Sequence, residues 1–288
     1  IAQVSLALCD TRLMDELVQC AKDSTFLEKV VGFDGTANHD AELDRIALNK
    51  PVLFDAVETG RDDVALLGFT SGTTGTPKGI VHSRQMRWYQ MAVGEESGLG
   101  LPGQVTLLST PMYSNTTLGI FVSTMAYGGT AVVMRKFDCA RWLELAQEHR
   151  ASHTILVPVQ YQRLMDFPQF DEYDLSSMAL KYCTSAPFSA ELKAEVVRRM
   201  PGALIEIYSM TEGGVVCLLR ADTNPDKLHT VGIPWGGSEV FTIDEQLNRL
   251  PSGEIGELVG HSTTMMSGYQ NQPEKTEEAG LGRKSTAR

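Results

Sequence analysis

From about residue 63 to residue 220 the chain alternates short apolar runs with amphipathic stretches, and few folds accommodate that rhythm. Residues 64–69, 105–108, 130–134, 154–157, 180–184 and 204–208 read as strands. Between them, Ser83 is suited to cap a helix through Met86, Tyr89 and Met91, and 117–126 reads as a helix. Asp138 caps a helix towards Glu148, Pro158 opens another, and Ser189 caps one that runs to Arg199. Strands alternating with helices of this length imply an α/β layered domain with a largely parallel sheet. After Asp222 the texture changes: 231–234, 239–243, 254–259 and 265–269 are strand-like runs separated by Gly, Pro and Ser. The expected organisation is therefore a first α/β portion (1–62), a main α/β subdomain (63–222), a small β-rich subdomain (223–279) and a polar tail (280–288).

Composition removes several classes. Hydrophobic residues at 42% and charged residues at 21% exclude disorder, collagen and disulfide scaffolds. A net charge of −11 argues against a broad nucleic-acid or anionic-membrane surface. A single nucleotide can still bind, because a few backbone N–H groups and one lysine suffice locally. The five cysteines are odd in number with no CxxC spacing, which fits reduced thiols in a cytoplasmic protein. His149 and His153 are spaced like metal ligands on a helix, but the helical pattern ends near Arg150, so no zinc pair is expected. No apolar run is long enough to span a membrane. The first residues carry no basic leader or cleavage site and read as the middle of a longer protein. Oligomeric state leaves no trace in the sequence.

Chemistry concentrates in Phe69-Thr70-Ser71-Gly72-Thr73-Thr74-Gly75-Thr76-Pro77-Lys78-Gly79. Its glycines let the backbone fold tightly and turn several N–H donors towards one anion. The hydroxyls add donors and Lys78 adds a point charge, which together suit a triphosphate. Proline before Lys78 and glycine after it distinguish the run from a Walker loop.

This run resembles the signature loop of the adenylate-forming superfamily, which includes acyl-CoA synthetases, luciferases and the adenylation domains of peptide synthetases. Further segments resemble that family in order: Thr184-Ser185-Ala186-Pro187, Glu206-Ile207-Tyr208-Ser209-Met210-Thr211-Glu212, Val231-Gly232-Ile233-Pro234, Gly253-Glu254-Ile255-Gly256-Glu257-Leu258 and Met266-Ser267-Gly268-Tyr269. The resemblance implies that Thr70, Ser71, Gly72, Thr73, Thr74, Gly75 and Lys78 cradle the phosphates of ATP. It implies that Ser185, Ala186 and Pro187 flank the adenine, beside Glu206, Ile207, Tyr208 and Ser209. Thr211 would donate to the α-phosphate and Glu212 would hold Mg²⁺, a cation that prefers carboxylate and phosphate oxygens. Lys78, Thr211 and Glu212 are thus the expected catalytic groups. Tyr113, Ser114 and Met210 are expected near the acid. Tyr161 and Phe188 are either pocket or core residues.

The chain departs from the family pattern at Ser209, where glycine is usual, and at Ser114, where histidine is common. The Thr-Gly-Asp triplet expected after Glu278, the hinge and the lysine-bearing C-terminal domain are missing from this sequence, which therefore reads as part of a longer enzyme. The activity implied is a carboxylate–CoA ligase using ATP, Mg²⁺ and coenzyme A on a small carboxylic acid. A peptide-synthetase-like adenylation domain is the rival, disfavoured because residues 104–136 contain no Asp or Glu to pair with an α-amine. A non-catalytic nucleotide-binding fragment is the third reading.

Overall fold

The computed structural model describes residues 3–33, 55, 57–70, 77–97 and 101–280, with 93–97 as backbone only. The chain divides into two units, 1–60 and 61–288. In the first, strands β1 (Leu6–Asp10) and β2 (Lys29–Phe33) run parallel, and helix α1 (Met14–Asp23) supplies the connection that parallel strands need.

In the second unit, β3 (Val64–Thr70) turns back on β4 (Lys78–Ser83), and α2 (Arg84–Ser97) follows directly. The Ser83 hydroxyl accepts from the Met86 amide at 3.2 Å and so starts that helix. The chain then alternates through β5 (Val105–Leu108), α3 (Asn115–Ala126), β6 (Thr130–Val133), α4 (Cys139–Glu148), β7 (His153–Leu156), α5 (Pro158–Met165), β8 (Leu180–Cys183), α6 (Ala190–Arg199) and β9 (Ala203–Ser209). Asp138 caps α4 and Ser189 caps α6, each accepting from the amide three residues on. Strands β7 and β8 are buried at every position, as central parallel strands covered on both faces must be. Strands β6, β5, β7, β8 and β9 lie side by side and parallel, so the sheet order reverses at β5. One core, under α4, α5 and α6, contains Trp142, Leu143, Tyr161, Leu164, Phe188 and Val196. A second, under α3, contains Leu108, Ile120, Ile155 and Tyr182.

Two features differ from the expectation, and the large sheet refines it. A strand, β4, stands between the Gly/Thr run and its helix, because Ile80 and Val81 have backbone partners on both sides. The large sheet is not wholly parallel: β10 (Val216–Arg220) returns antiparallel to β9, and β11 (Ile233–Pro234) pairs antiparallel with β10. The strand-like runs after Asp222 are shared among sheets. While β11 extends the large sheet, β12 (Glu239–Ile243) pairs with β13 (Glu257–His261), and β14 (Gly268–Tyr269) pairs with β4. Helix α7 (Pro273–Ala279) closes the described chain. Tyr161 and Phe188 stack at 5.5 Å, and the Tyr161 hydroxyl donates to the Tyr182 carbonyl, which makes both core residues. His149 ends α4 while His153 begins β7, so they share no helix face. All five cysteines are free thiols, with Cys20 the exposed one. No helix among the described residues is long and apolar enough to cross a membrane.

Two buried lysines tie the layers. The Lys181 ammonium donates to the Met200, Pro201 and Gly202 carbonyls, taking up acceptors left at the end of α6. Lys193 in α6 forms an ion pair with Glu206 of β9 and donates to the Leu228 and Thr230 carbonyls at 2.8 and 2.9 Å. Burial raises the Glu206 carboxyl, and Lys193 opposes that shift. Across the molecule, the His82 ring on β4 is wholly buried, with Nε2 2.8 Å from the Thr211 carbonyl. A carbonyl oxygen can only accept, so Nε2 carries the proton and donates.

Lys193→Met strands a buried carboxylate and two carbonyls, and is expected to cost about 3–5 kcal/mol in urea unfolding. Adding Glu206→Leu should recover part of that loss, because the stranded charge then disappears. Acid offers a second test. Burial, helped by the Arg87 charge, pulls the His82 imidazole from 6.5 down to about 4. As pH falls through 6.5 the unfolded chain takes up this proton and the folded one resists until about 4. The stability is therefore present above 6.5, lost between 6.5 and 4, and flat below, amounting to about 3 kcal/mol at 1.36 kcal/mol per tenfold. Unfolding midpoints of His82→Leu should lose that part of the pH dependence.

Candidate active site

The reversal of strand order at β5 opens a crevice at the C-terminal ends of the strands, where open α/β sheets hold ligands. A cavity of about 330 Å³ lies there. The first turns of α3 supply Ser114, Asn115, Thr116 and Gly119, β7 supplies Ile155, the end of β8 supplies Thr184 and Ser185, and β9 supplies Ile207 and Ser209. Met210, Thr211, Gly213, Trp235 and Gln90 complete much of the rim. Ser185 has a positive φ of 76°, a costly state for a non-glycine residue. Its hydroxyl shares a 2.7 Å hydrogen bond with Thr116, which joins the β8 end to α3. Thr184 donates to the Ile207 carbonyl at 2.7 Å and fastens the same end to β9.

At the edge of this cavity, Thr211, Glu212 and Gly213 form a turn held from two sides. His82 takes the Thr211 carbonyl, while the Met266 amide donates to the Glu212 carbonyl at 2.8 Å. Gly213 has φ of 75°, and a Cβ there would fall 2.2 Å from the Thr264 carbonyl oxygen, so no larger residue fits. The Tyr269 hydroxyl donates to Glu212 Oε1 at 2.8 Å. Burial, with the Glu212 charge beside it, raises the Tyr269 phenol, which keeps its proton and remains the donor. Lys78 Nζ sits 5.0 Å above the centre of the same ring, within cation–π range. One aromatic ring thus holds the lysine of the Gly/Thr run and the carboxylate of the turn. Thr70 and Lys78 pair in register across the β3–β4 hairpin, so the run leaves and re-enters the sheet at this point. Ser71, Gly72, Thr73, Thr74 and Gly75 lie outside the described residues.

Of the residues expected at the site, Ser114, Ser185, Ile207, Ser209, Met210 and Thr211 line the cavity, and Lys78 and Glu212 meet at Tyr269. Glu206, Tyr208, Ala186, Pro187 and Tyr113 do not line it. The Glu206 carboxylate is committed to Lys193, on a strand whose residues alternate in direction, so Ile207 and Ser209 face the cavity in its place. Tyr208, 44% exposed, neighbours them at the end of β9. Ala186 and Pro187 are exposed just beyond Ser185. Tyr113 is 88% exposed and outside the lining, because α3 begins immediately after it and turns inward only from Ser114. Sequence reasoning missed His82, Gln90, Arg87, Asn115 and Trp235. Only Tyr269 had a signal, as part of Met266-Ser267-Gly268-Tyr269.

Comparison with known proteins gives the family and the fold. Residues 2–270 match the family described as AMP-binding enzyme. A feruloyl-CoA synthase of Amycolatopsis sp is 32% identical over 223 residues, covering 76% of this chain and 45% of that protein. The medium/long-chain-fatty-acid–CoA ligase FadD8 of Mycobacterium tuberculosis is 30% identical, covering 77% of this chain and 39% of that protein. The chain therefore spans less than half the length of these curated relatives. The ATP-bound crystal structure of MatB from Rhodopseudomonas palustris superimposes with a TM-score of 0.82 at 25% identity, covering 96% of this chain and 54% of that one. The fold, the order of the motifs and the match over nearly the whole chain lead to one conclusion: the chain belongs to the AMP-binding enzyme family.

Proposed function

We propose that this chain carries the adenylation site of an ATP-dependent carboxylate–CoA ligase. The observation that carries the reading is the meeting of Lys78 and Glu212 on Tyr269, at the foot of the Gly/Thr run and beside the cavity. Lys78 and the run bind the β- and γ-phosphates of ATP, and the Thr211 hydroxyl donates to the α-phosphate. Tyr208, Ser185, Ala186 and Pro187 flank the adenine, while Ser114 and Met210 border the acid. A carboxylate oxygen of the acid attacks the α-phosphorus, the bond to the bridging oxygen breaks, and pyrophosphate leaves. The thiolate of coenzyme A then attacks the acyl carbon and AMP departs. The chain's own contribution is to hold the reactants in line and to stabilise the charge of the leaving pyrophosphate.

The donors suit Mg²⁺. Glu212 Oε1 accepts from Tyr269, and Oε2 has no partner among the described residues. A hard oxygen ligand of this kind, with substrate phosphates and water completing the shell, is the usual setting for Mg²⁺. That arrangement needs no cluster of three acidic or imidazole ligands, and the described residues contain none. When bound, the ion neutralises phosphate charge.

CoA ligases among the relatives support a thiol acceptor, and the relatives' names span aromatic and fatty acids. The rival, a peptide-synthetase-like adenylation domain, needs an acidic partner for an α-amine. No Asp or Glu lines the cavity among the described residues, which favours an acid without that amine. We place the enzyme in the cytoplasm, in keeping with its free thiols.

Acid-dependent ATP–pyrophosphate exchange by the full natural protein tests the reading. Lys78→Ala should slow exchange by about 10²–10³, the effect of losing a principal transition-state donor, with little change in the acid's affinity. Exchange at the parental rate would reduce the run to a structural turn. Glu212→Gln should shift the Mg²⁺ requirement upward, and an unchanged Mg²⁺ titration would make Glu212 a structural carboxylate. ATP binding without exchange for any acid would favour the non-catalytic reading.

A further inference from the structure

One cation beside the cavity has no assigned task. Arg87, on α2, donates from Nη2 to Asn115 Oδ1 at 2.7 Å and from Nη1 to Gln90 Oε1 at 3.0 Å. Both amides line the cavity. A guanidinium can only donate, so it fixes which end of each amide faces it. The two oxygens are taken, and the two NH₂ groups are left as the ends that can serve a ligand. No partner claims either NH₂ group among the described residues. The Ser114 and Thr116 hydroxyls stand beside Asn115 at the start of α3. Thr116 already shares its hydrogen bond with Ser185. This end of the cavity therefore offers two amide NH₂ groups that can only donate, beside hydroxyls that can do either.

The charge is equally one-sided. Arg87 makes no ion pair with a carboxylate among the described residues, although burial works against its charge and draws it from 12.5 down to about 10. Its titratable neighbour His82 is buried and held neutral, and no acidic side chain lines the cavity among the described residues. Arg87 is half-buried, and a partly desolvated cation without a counter-ion is less favourable unless a ligand supplies one. An arginine conserving two amide orientations at a cavity wall costs less if the occupant is an anion.

We propose that Arg87, acting through Asn115 and Gln90, makes this cavity selective for an acid bearing a second oxygen acceptor besides the reacting carboxyl, with a second carboxylate preferred over a neutral carbonyl. The inference rests on the reading of this cavity as the acid site. A plain hydrocarbon tail would leave both amide NH₂ groups and the guanidinium charge uncompensated, and each unsatisfied donor counts against binding. A carboxylate gains charge-assisted hydrogen bonds from both amides, together with the field of Arg87 behind them. Arg87 is thus a positioning residue that acts through the amides.

Three five-carbon acids separate the possibilities: glutarate (two carboxylates), levulinate (one carboxylate and a ketone) and pentanoate (one carboxylate). Each is titrated calorimetrically into the protein with and without a non-hydrolysable ATP analogue. Glutarate should bind at least about tenfold more tightly than pentanoate, with levulinate between them. Arg87→Met should collapse the ranking to within about twofold, leaving the analogue's affinity and the melting temperature in place. Arg87→Lys keeps the charge without the two-pronged grip, and should keep a preference for glutarate while losing that for levulinate. If Arg87→Met does not fold, Asn115→Ala and Gln90→Leu remove the donors singly, and each should weaken glutarate more than pentanoate. Equal binding of glutarate and pentanoate, or an unchanged ranking in these variants, overturns the proposal. So does binding of the analogue with none of the three acids. Failure of the analogue itself to bind would sink the adenylation reading as well.

Discussion

The Thr211–Glu212–Gly213 turn is the point on which the site depends. Its backbone is gripped by the buried His82 ring from one strand and the Met266 amide from another segment, and its side chain by the Tyr269 hydroxyl. Because Gly213 passes so close to the Thr264 carbonyl, the turn has little freedom to relax if one grip is lost. On the proposed reading, a carboxylate that receives a metal and phosphates would benefit from being oriented before they arrive. Tyr269 extends this order to Lys78, so that the cation and the anion of the site take their positions from one ring.

The large sheet supplies the other half. Its order reverses at β5, which leaves α3 on one side of a crevice and the ends of β8 and β9 on the other. Hydrogen bonds from Thr116 to Ser185 and from Thr184 to the Ile207 carbonyl span these walls. Behind β9, the Lys193–Glu206 pair fixes the strand against α6 and the segment at Leu228 and Thr230. An ion pair so deeply buried stabilises little against an apolar alternative, yet it ties β9, the strand that carries Tyr208, to α6.

Much of this was legible from local pattern. The α/β alternation places β5 to β9 and their helices within a residue or two, since each strand is an apolar run and several helices begin at a capping Asp or Ser. The 206–212 segment stood out through its resemblance to a family motif, and Ile207, Ser209, Met210 and Thr211 do line the cavity. What stayed hidden depends on distant partners. Gly79-Ile80-Val81-His82 is too short to announce a strand, and becomes one because β3 and β14 flank it. Glu206 looks like a ligand until Lys193 is seen beside it, and Tyr113 until α3 is seen to carry it outward. His82, Arg87 and Asn115 have no motif at all. Arg87 and Asn115 meet only where the helix after β4 meets the helix after β5, and His82 acts only where β4 meets the Thr211 turn.

The pairing of β14 with β4 also orders events in time. Tyr269 reaches Ile80 only after nearly all of the second unit has left the ribosome. Closing so long a loop is slow compared with forming the local α/β contacts between β5 and β9. The parallel sheet and its crevice can therefore assemble on a growing chain while Lys78 and Glu212 still lack their common ring. This part of the site is therefore completed last, and a chain halted before Tyr269 would have a formed cavity with nothing to bring Lys78 and Glu212 together.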